Sequence, residues 1–346
     1  MPSFNFGIVY KLLKGKYLGL AITSIIFLSI ISALCTNLNY GYFGPQYFII
    51  IFFTFFLMGS SYSIYISNYI NYNLVFKSLI IIGVLLAVIA ICQQIHLPIP
   101  DFPGATVDLK LVRPQSITGS FLHYPLILAV ICGISFVSLM EKGGTMKMII
   151  FFFFLICLLS TLSRSGMVII FCIMAYYFIT RINIRAIMIF LFAIIIIMIL
   201  MPIFPTEMSI ISDRIFGATN SQSAGNDGRY EIWKNVFSSL DFSTIFFGSN
   251  FGLITNSAPE NLIKGVAESS ILQQILNIGL IATLLYYYLW FNMRKVINNN
   301  YRIVLYACIF QTAFYQSIEV IPFLFFTIMI PIFTKDVELN SVGRKR

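Results

Sequence analysis

The sequence predicts an all-α polytopic membrane protein with about ten transmembrane helices, both termini in the cytoplasm, and one large outer loop that contains short helices. Three observations predict this fold class. The chain of 346 residues is 59% hydrophobic and 10% charged, with a mean hydropathy of +0.89, whereas soluble domains are about a quarter charged. Apolar runs of about 20 residues, long enough to cross the hydrocarbon core, recur along the chain. Basic residues are divided unequally between the connections.

The predicted spans follow one another through short connections, apart from two outer segments. The first apolar run is too long for a cleavable signal peptide and lacks a small-residue cleavage site, so we expect it to remain as a membrane helix. Without an internal repeat or a terminal soluble domain, the chain is expected to form a single integral membrane domain over residues 1–346. The spans are expected near residues 17–36, 45–65, 78–95, 119–140, 148–163, 165–180, 186–203, 271–291, 303–318 and 321–334.

The net charge of +9 is interpreted as a signal of membrane topology and does not indicate a nucleic-acid partner. If the N-terminus is in the cytoplasm, most of the 22 Lys and Arg residues are cytoplasmic, and a smaller set lies on the outer side. This excess of basic residues on one side follows the positive-inside rule and predicts the orientation. The outer basic residues are Lys110, Arg113, Arg164, Arg214, Arg229, Lys234 and Lys264.

An arginine interrupts the apolar run "LLSTLSRSGMVIIFCIM", residues 158–174. An ionised arginine at the centre of a span costs roughly 2.5–3.5 kcal/mol on insertion scales, so such residues usually face a cavity or a partner. Dividing residues 148–180 into two spans, with Ser163–Gly166 as the turn, puts Arg164 at the outer mouth. The alternative is an arginine that reaches the lipid headgroups or tethers helices through backbone carbonyls.

The larger outer segment, residues 204–270, is expected to be an extracytoplasmic loop with helical parts. Asn226 or Asp227 can cap a helix, and apolar residues then recur at helical spacing. Arg229 lies in the first turn of this helix, where a cation joins unpaired backbone N–H groups and suits a phosphate. The apolar residues are Tyr230, Trp233, Val236, Phe237 and Leu240.

The stretch "RPQSITGSFLHYPLILAV", residues 113–130, leads into the fourth span. Arg113 precedes a proline and is therefore extended. His123 and Tyr124 lie just inside the apolar run, near the outer face. The alternative to a role in chemistry is a histidine that is hydrogen-bonded within the fold.

The stretch "VAESSILQQILNIGL", residues 266–280, opens the eighth span. Glu268 lies at its first turn, where the helix dipole favours a negative charge whether or not the residue is catalytic. Gln273 and Gln274 then enter the membrane, where polar side chains face a neighbouring helix or a wet cavity.

Arg113, Arg164, Arg229 and Glu268 all map to one membrane face, which indicates a site for an anionic headgroup, because guanidinium groups match phosphate oxygens. The sequence has no paired-aspartate motif, no histidine cluster and no phosphate-binding glycine-lysine loop, so neither a metal nor a nucleotide is indicated. The six cysteines lie in apolar runs, so no disulfide framework is indicated.

Three stretches together resemble the O-antigen ligase/O-antigen polymerase family of bacterial surface-polysaccharide assembly. They are "RPQSITGSFLHYPLILA", "LSTLSRSGMVII", and "GNDGRYEIWKNVF" followed by "FFGSNFG" and "AESSILQQILNIGLIA". The resemblance covers roughly residues 95–290 and implies a glycosyltransferase C-like architecture.

The resemblance implies that Arg164 and Arg229 bind the diphosphate of a polyprenyl-diphosphate-linked glycan. Ligases of the family carry a histidine near the start of the span after the loop, whereas this chain has Ala267–Ser270 there. This difference favours a polymerase, with Glu268 as the candidate base or as a ligand of a sugar hydroxyl. The candidate substrate-binding residues are Arg113, His123, Tyr124, Ser163, Trp233 and Gln273.

The implied reaction is metal-independent, inverting glycosyl transfer at the outer face of the bacterial cytoplasmic membrane, without a cofactor. Lipid-linked oligosaccharides are the donor and the acceptor, membrane lipids surround the protein, and a chain-length regulator and a flippase are further candidate partners. The alternatives are a ligase, a lipid-linked glycan transporter, and a structural or sensory membrane protein. The lack of an internal repeat and the collection of polar residues on one side argue against a transporter.

Overall fold

A computed structural model describes most of the predicted membrane segments. It covers residues 16–66, 71–95, 97, 114–180, 191, 198, 233–234, 241–255, 258 and 269–335. Within these ranges the regular secondary structure is helical, without a strand. The chain divides into two compact units. The first unit is Met1–Phe76 with Glu231–Arg346, and the second unit is Lys77–Tyr230.

Eleven α-helices are present in the described ranges, and five of them are long and apolar enough to cross a membrane. The helices are α1 (Lys16–Tyr40), α2 (Pro45–Ile66), α3 (Tyr72–Gln94), α4 (His123–Lys142), α5 (Thr145–Ser160), α6 (Arg164–Thr180), α7 (Phe242–Phe247), α8 (Ser270–Asn292), α9 (Arg302–Gln311), α10 (Ile321–Ile328) and α11 (Ile330–Thr334). The five candidate spans lie in α1, α2, α3, α4 and α8, whereas α5 and α6 are shorter apolar helices. The predicted division of residues 148–180 into two helices is confirmed.

The last two predicted spans differ from the structure. The segment predicted as 303–318 is helical only over the 10 residues of α9, which rise about 15 Å, half the thickness of the hydrocarbon core. The final span is broken at Met329, between α10 and α11, where Pro331 has no N–H to continue the hydrogen-bond ladder. The predicted span 186–203 lies outside the described residues except for positions 191 and 198. The number of ten spans and the cytoplasmic termini stay predictions.

In the second unit, α4 is the central helix. Its residues from Tyr124 to Met140 are all buried, and it packs against both α5 and α6. Gly83 of α3 lets that helix approach closely, because a Cβ atom there would lie 2.8 Å from the Phe154 ring and 2.9 Å from Ile131. The uniform hydrophobicity of α4 therefore reflects burial on all sides and not contact with lipid.

In the first unit, α8 has the central position and packs along α1 and α7. Asn277 of α8 connects three segments: its backbone oxygen accepts from Ser32 Oγ at 2.5 Å, its Oδ1 accepts from the Gly252 N–H at 2.5 Å, and its Nδ2 donates to Gln273 O at 2.7 Å. These bonds hold segment 241–255, which belongs to the predicted outer loop, against the buried face of α8.

A kink in α8 makes room for this outer segment. Gly279 has a φ of +82° within the helix, and a Cβ atom there would overlap the carbonyl group of Phe246. The short helix α7 ends at this point, and its first turn is capped by Asp241, which accepts from the Thr244 N–H at 2.7 Å. Hydrogen bonds from Thr244 and Ser243 hold the pKa of the Asp241 carboxyl below its usual value.

Apart from Arg164 and Lys234, the described basic residues collect at one end of each unit. In the second unit, Lys142 and Lys147 flank the turn between α4 and α5, at the end of these helices opposite to Ser160. In the first unit, the basic residues that follow α8, open α9 and follow α11 lie at the opposite end of α8 from Ser270. These residues are Arg294, Lys295, Arg302 and Lys335.

Replacing Asn277 by alanine should destabilise the first unit. The Gly252 N–H would lose its acceptor in a buried setting, which costs about 1–3 kcal/mol. The midpoint of thermal unfolding in detergent, followed by the fluorescence of Trp233 and Trp290, should fall. Asn292→Ala is the matched control, because Asn292 makes the same side-chain bond to the residue four positions earlier but is exposed. Equal melting of both variants would contradict the role given to Asn277.

Candidate functional site

Arg164 begins a helix at the end of the second unit that is opposite to the lysines. The turn lies at Thr161–Ser163, two to three residues earlier than the predicted Ser163–Gly166, and Arg164 is the first residue of α6. The turn is held by Thr161 Oγ1, which accepts from the Ser163 N–H at 3.2 Å. Ser163 is buried, and its Oγ lies 3.0 Å from Ser165 Oγ. Arg164 itself is half-buried.

A close contact between two helices brings the start of α6 beside the start of α4. A Cβ atom on Gly166 would lie 2.9 Å from the carbonyl oxygen of Pro125, so only glycine permits this approach. His123, the first residue of α4, is half-buried. Tyr124 is completely buried, and its hydroxyl has no hydrogen-bond partner among the described residues. The predicted residues Ser163, Arg164, His123 and Tyr124 thus lie on two adjacent helix starts, with Tyr124 in the core beneath them.

Two glutamines at the end of α3 complete this end of the second unit. Gln93 Oε1 accepts from the N–H groups of Gln115 and Ser116 at 3.1 and 2.7 Å, and Gln94 Nε2 donates to Ser160 O at 3.1 Å. Ser116 Oγ in turn donates to Leu86 O at 2.6 Å. The segment that follows the predicted Arg113 is therefore fixed to the end of α3, although Arg113 lies outside the described residues.

The first unit contains the other predicted residues that the structure describes. Trp233 packs against a buried cluster formed by Ile254, Leu272 and Leu276, so this apolar residue of the predicted loop helix docks on the first turns of α8. Gln273 is 1% exposed. Its amide nitrogen donates to Ile254 O at 2.9 Å and to Glu319 Oε1.

Glu319 did not emerge from the sequence as a site residue. It closes a 3-10 helix, Ser317–Glu319, between α9 and α10, and is half-buried. A signal was present, since an acidic residue between two apolar runs is unusual in a membrane protein. The prediction that α9 would continue to residue 318 hid it, because Glu319 then resembled an ordinary residue of a tight turn.

Three predicted residues, Arg113, Arg229 and Glu268, lie outside the described residues. The predicted convergence of Arg164 with Arg229 and Glu268 therefore stays a prediction. Within the described ranges, no three His, Cys, Asp or Glu side chains form a group that can hold a metal ion.

The end of the second unit that contains Arg164 has the features of an anion-binding site. The first N–H groups of a helix lack partners within the helix and carry partial positive charge, as at the start of α6. Arg164 adds a full charge at the same place, with donors that match two phosphate oxygens. This combination is suited to a phosphate group at the membrane surface.

Comparison with known proteins agrees with the resemblance drawn from the sequence. Residues 149–287 match the family model described as O-antigen ligase. The matched range includes Arg164, Arg229, Trp233, Glu268 and Gln273. Neither the curated proteins nor the solved structures gave a match to this chain. The match, over less than half of the chain, supports an O-antigen ligase/polymerase-like family and that general type of function.

The contact between Gly166 and Pro125 should control the position of Arg164. We expect Gly166→Val to force α6 away from α4 and to lower the free energy of unfolding by about 1–3 kcal/mol, as overpacking usually does. Thermal unfolding in detergent measures this loss. Val168→Leu, at a half-buried position of the same helix, is the control and should melt like the wild type. Unchanged melting of Gly166→Val would show that the helices are not in close contact.

Proposed function

We propose that this protein is a polymerase that joins polyprenyl-diphosphate-linked oligosaccharide repeat units into a surface polysaccharide, such as O-antigen, capsule or exopolysaccharide. The family match supports glycosyl transfer of the O-antigen ligase/polymerase type. The observation that carries the proposal is the position of Arg164, which opens α6 next to the start of α4. An arginine at a helix start near the membrane surface is suited to a lipid-linked phosphate.

Arg164 and Arg229 bind the donor's diphosphate in this proposal. Negative charge develops on the leaving diphosphate as its bond to the anomeric carbon breaks, and pre-placed guanidinium groups stabilise that charge. Arg113, His123, Ser163 and Trp233 are assigned to the surrounding glycan and lipid. Because the sequence lacks a paired-aspartate motif, the arginines take the role that a divalent metal has in other glycosyltransferases.

The acceptor is a second lipid-linked glycan. Its hydroxyl oxygen attacks the anomeric carbon from the side opposite the diphosphate, so the configuration inverts. A carboxylate near the hydroxyl takes its proton, and the sequence names Glu268 for this step. Closure of the outer loop over both glycans excludes the water that otherwise hydrolyses the donor.

The distribution of basic residues between the two ends of each unit supports an outward-facing site in the cytoplasmic membrane. Arg164 lies at the end opposite to Lys142 and Lys147, and Glu319 lies at the end opposite to Arg294 and Arg302. Basic residues are concentrated on the cytoplasmic side of membrane proteins. The candidate residues therefore belong on the outer side.

The ligase reaction is the second candidate, because the matched family model is described as O-antigen ligase. Gel analysis of cell-surface glycan after deletion of the gene separates the candidates. Loss of a polymerase leaves products with a single repeat unit, whereas loss of a ligase leaves free polymer on its lipid carrier. Loss of a transporter leaves the repeat units facing the cytoplasm.

Arg164→Ala and Arg229→Ala should each abolish the polymer while the protein still inserts into the membrane. Removal of one donor to a developing charge typically costs about 10²–10³-fold in rate, so single-repeat products should accumulate on the gel. Arg294→Ala is the control, since this arginine stacks on Phe291 at the other end of α8. Long polysaccharide in either of the first two variants would count against binding of the diphosphate.

Arg229→Lys should also lower polymer synthesis if the contact is bidentate, because an ammonium group cannot match two oxygens with parallel bonds. Initial rates with reconstituted protein measure the difference. The reverse exchange at an exposed position of the same loop, Lys234→Arg, should leave the rate unchanged. Full activity of Arg229→Lys would indicate that only the charge is needed.

A further inference from the structure

The outer end of the first unit holds a carboxylate in a defined place. Ser270, at the start of α8, fixes the segment between α9 and α10. Its N–H donates to Thr312 O at 2.8 Å, its Oγ donates to Tyr315 O at 2.9 Å, and the same Oγ accepts from the Ile318 N–H at 3.1 Å. The residue before Glu319 is thereby tied to the first turn of a membrane helix.

Gln273 fixes the carboxylate itself. One turn into α8, its amide nitrogen donates to Glu319 Oε1 and to Ile254 O, and both of its hydrogens are used in this way. Three segments distant in sequence, 254, 273 and 319, therefore meet at one buried amide group. The Glu319 carboxylate also acts electrostatically on the buried phenol of Tyr47. A side chain held by neighbours on rigid elements keeps the geometry that catalysis requires.

Glu319 is half-buried, unlike Gln273. Its carboxylate is thus held from the protein side while part of the side chain remains accessible from outside. A general base must be positioned and must also touch the group that it deprotonates. Glu319 is positioned by Gln273, and its partial exposure allows contact with an acceptor.

We propose that Glu319 is the general base of the transfer reaction and that Gln273 is its positioning residue. This inference rests on the proposed function and assigns the proton transfer to Glu319 in place of Glu268. The acceptor hydroxyl gives its proton to the Glu319 carboxylate, and its oxygen forms a bond with the donor's anomeric carbon. The bond from that carbon to the diphosphate breaks, its electron pair leaves with the diphosphate, and Glu319 later releases the proton to water.

A purely structural role for Glu319 makes a different prediction. If the carboxylate only ties the outer segment to α8, a glutamine in its place should suffice, because its carbonyl oxygen also accepts from Gln273. Glu319→Gln therefore preserves the tie and removes the base. Aspartate at the same position keeps the base but withdraws it by one methylene group.

The test uses full-length protein in liposomes, with lipid-linked oligosaccharide extracted from a strain that lacks this gene. Glu319→Gln should slow elongation by roughly 10²-fold or more, as expected for loss of a general base, with little change in the donor KM. It should also lose the acid limb of the pH–rate profile. Glu141→Gln is the matched control, because Glu141 also accepts a hydrogen bond from a neutral side chain, the Tyr177 hydroxyl. Glu141 lies in the second unit, at the end opposite to Arg164. This variant should remain fully active.

Gln273→Leu tests the positioning role. We expect kcat to fall about tenfold while the acid limb persists, because a poorly oriented base still titrates. Gln274→Leu is its control, since the buried Gln274 amide has no hydrogen-bond partner in the described part of the chain and should be replaceable. Glu319→Asp should retain the acid limb with a reduced rate. A folded Glu319→Gln protein with the wild-type rate and pH profile would overturn the inference.

Glu268→Gln in the same assay separates the two carboxylates. Loss of the acid limb in Glu319→Gln alone supports the inference, whereas its loss in Glu268→Gln alone returns the role to Glu268 and overturns the inference. Neither result affects the proposed function. A wild-type protein that binds the lipid-linked oligosaccharide but never elongates it would instead refute the polymerase.

Discussion

Buried or half-buried amide side chains hold one end of each unit together, and the candidate site depends on them. In an apolar setting an unpaired amide costs free energy that only a protein partner can offset. Gln273 and Asn277 find their partners in segments that are far away in sequence, and Gln93 does the same at the end of α3. Because the helices are otherwise mostly apolar, these amides, together with buried hydroxyl groups such as that of Ser32, help to determine which loop packs on which helix.

Glycines complement the amides by letting backbones meet. At Gly166, the lack of a side chain lets α6 lie against the backbone carbonyl of Pro125. At Gly279, the backbone of α8 leaves the helical conformation next to the end of α7. The first contact brings the helices α6 and α4 together, and the second brings segment 241–255 within van der Waals distance of α8. Small residues have this role in membrane proteins in general, since burial of apolar surface does not distinguish a helix neighbour from a lipid tail.

The helices were predictable from the sequence, whereas the loops that define the site were only partly so. Apolar run length and alternating topology located α1, α2 and α8 to within a few residues and divided 148–180 at nearly the correct place. Hydropathy could not show that the helix of α9 stops at Gln311, since residues 312–318 remain moderately apolar and their departure from the helix depends on hydrogen bonds to Ser270. Spacing placed Trp233 on the loop helix's apolar face, where it packs on α8, but no periodicity pairs Gln273 with Glu319 across 46 positions.

The link between Gln273, Ile254 and Glu319 has a consequence for the order of events at the site. The amide of Gln273 reaches Glu319 with one hydrogen while the other is bonded to the outer segment 241–255. Displacement of that segment would leave a buried hydrogen unpaired and free the amide to rotate away from the carboxylate. Docking of the outer loop and orientation of the carboxylate are therefore one event. For the reaction proposed above, the orientation of the Glu319 carboxylate is thus coupled to the docking of segment 241–255 through the Gln273 amide.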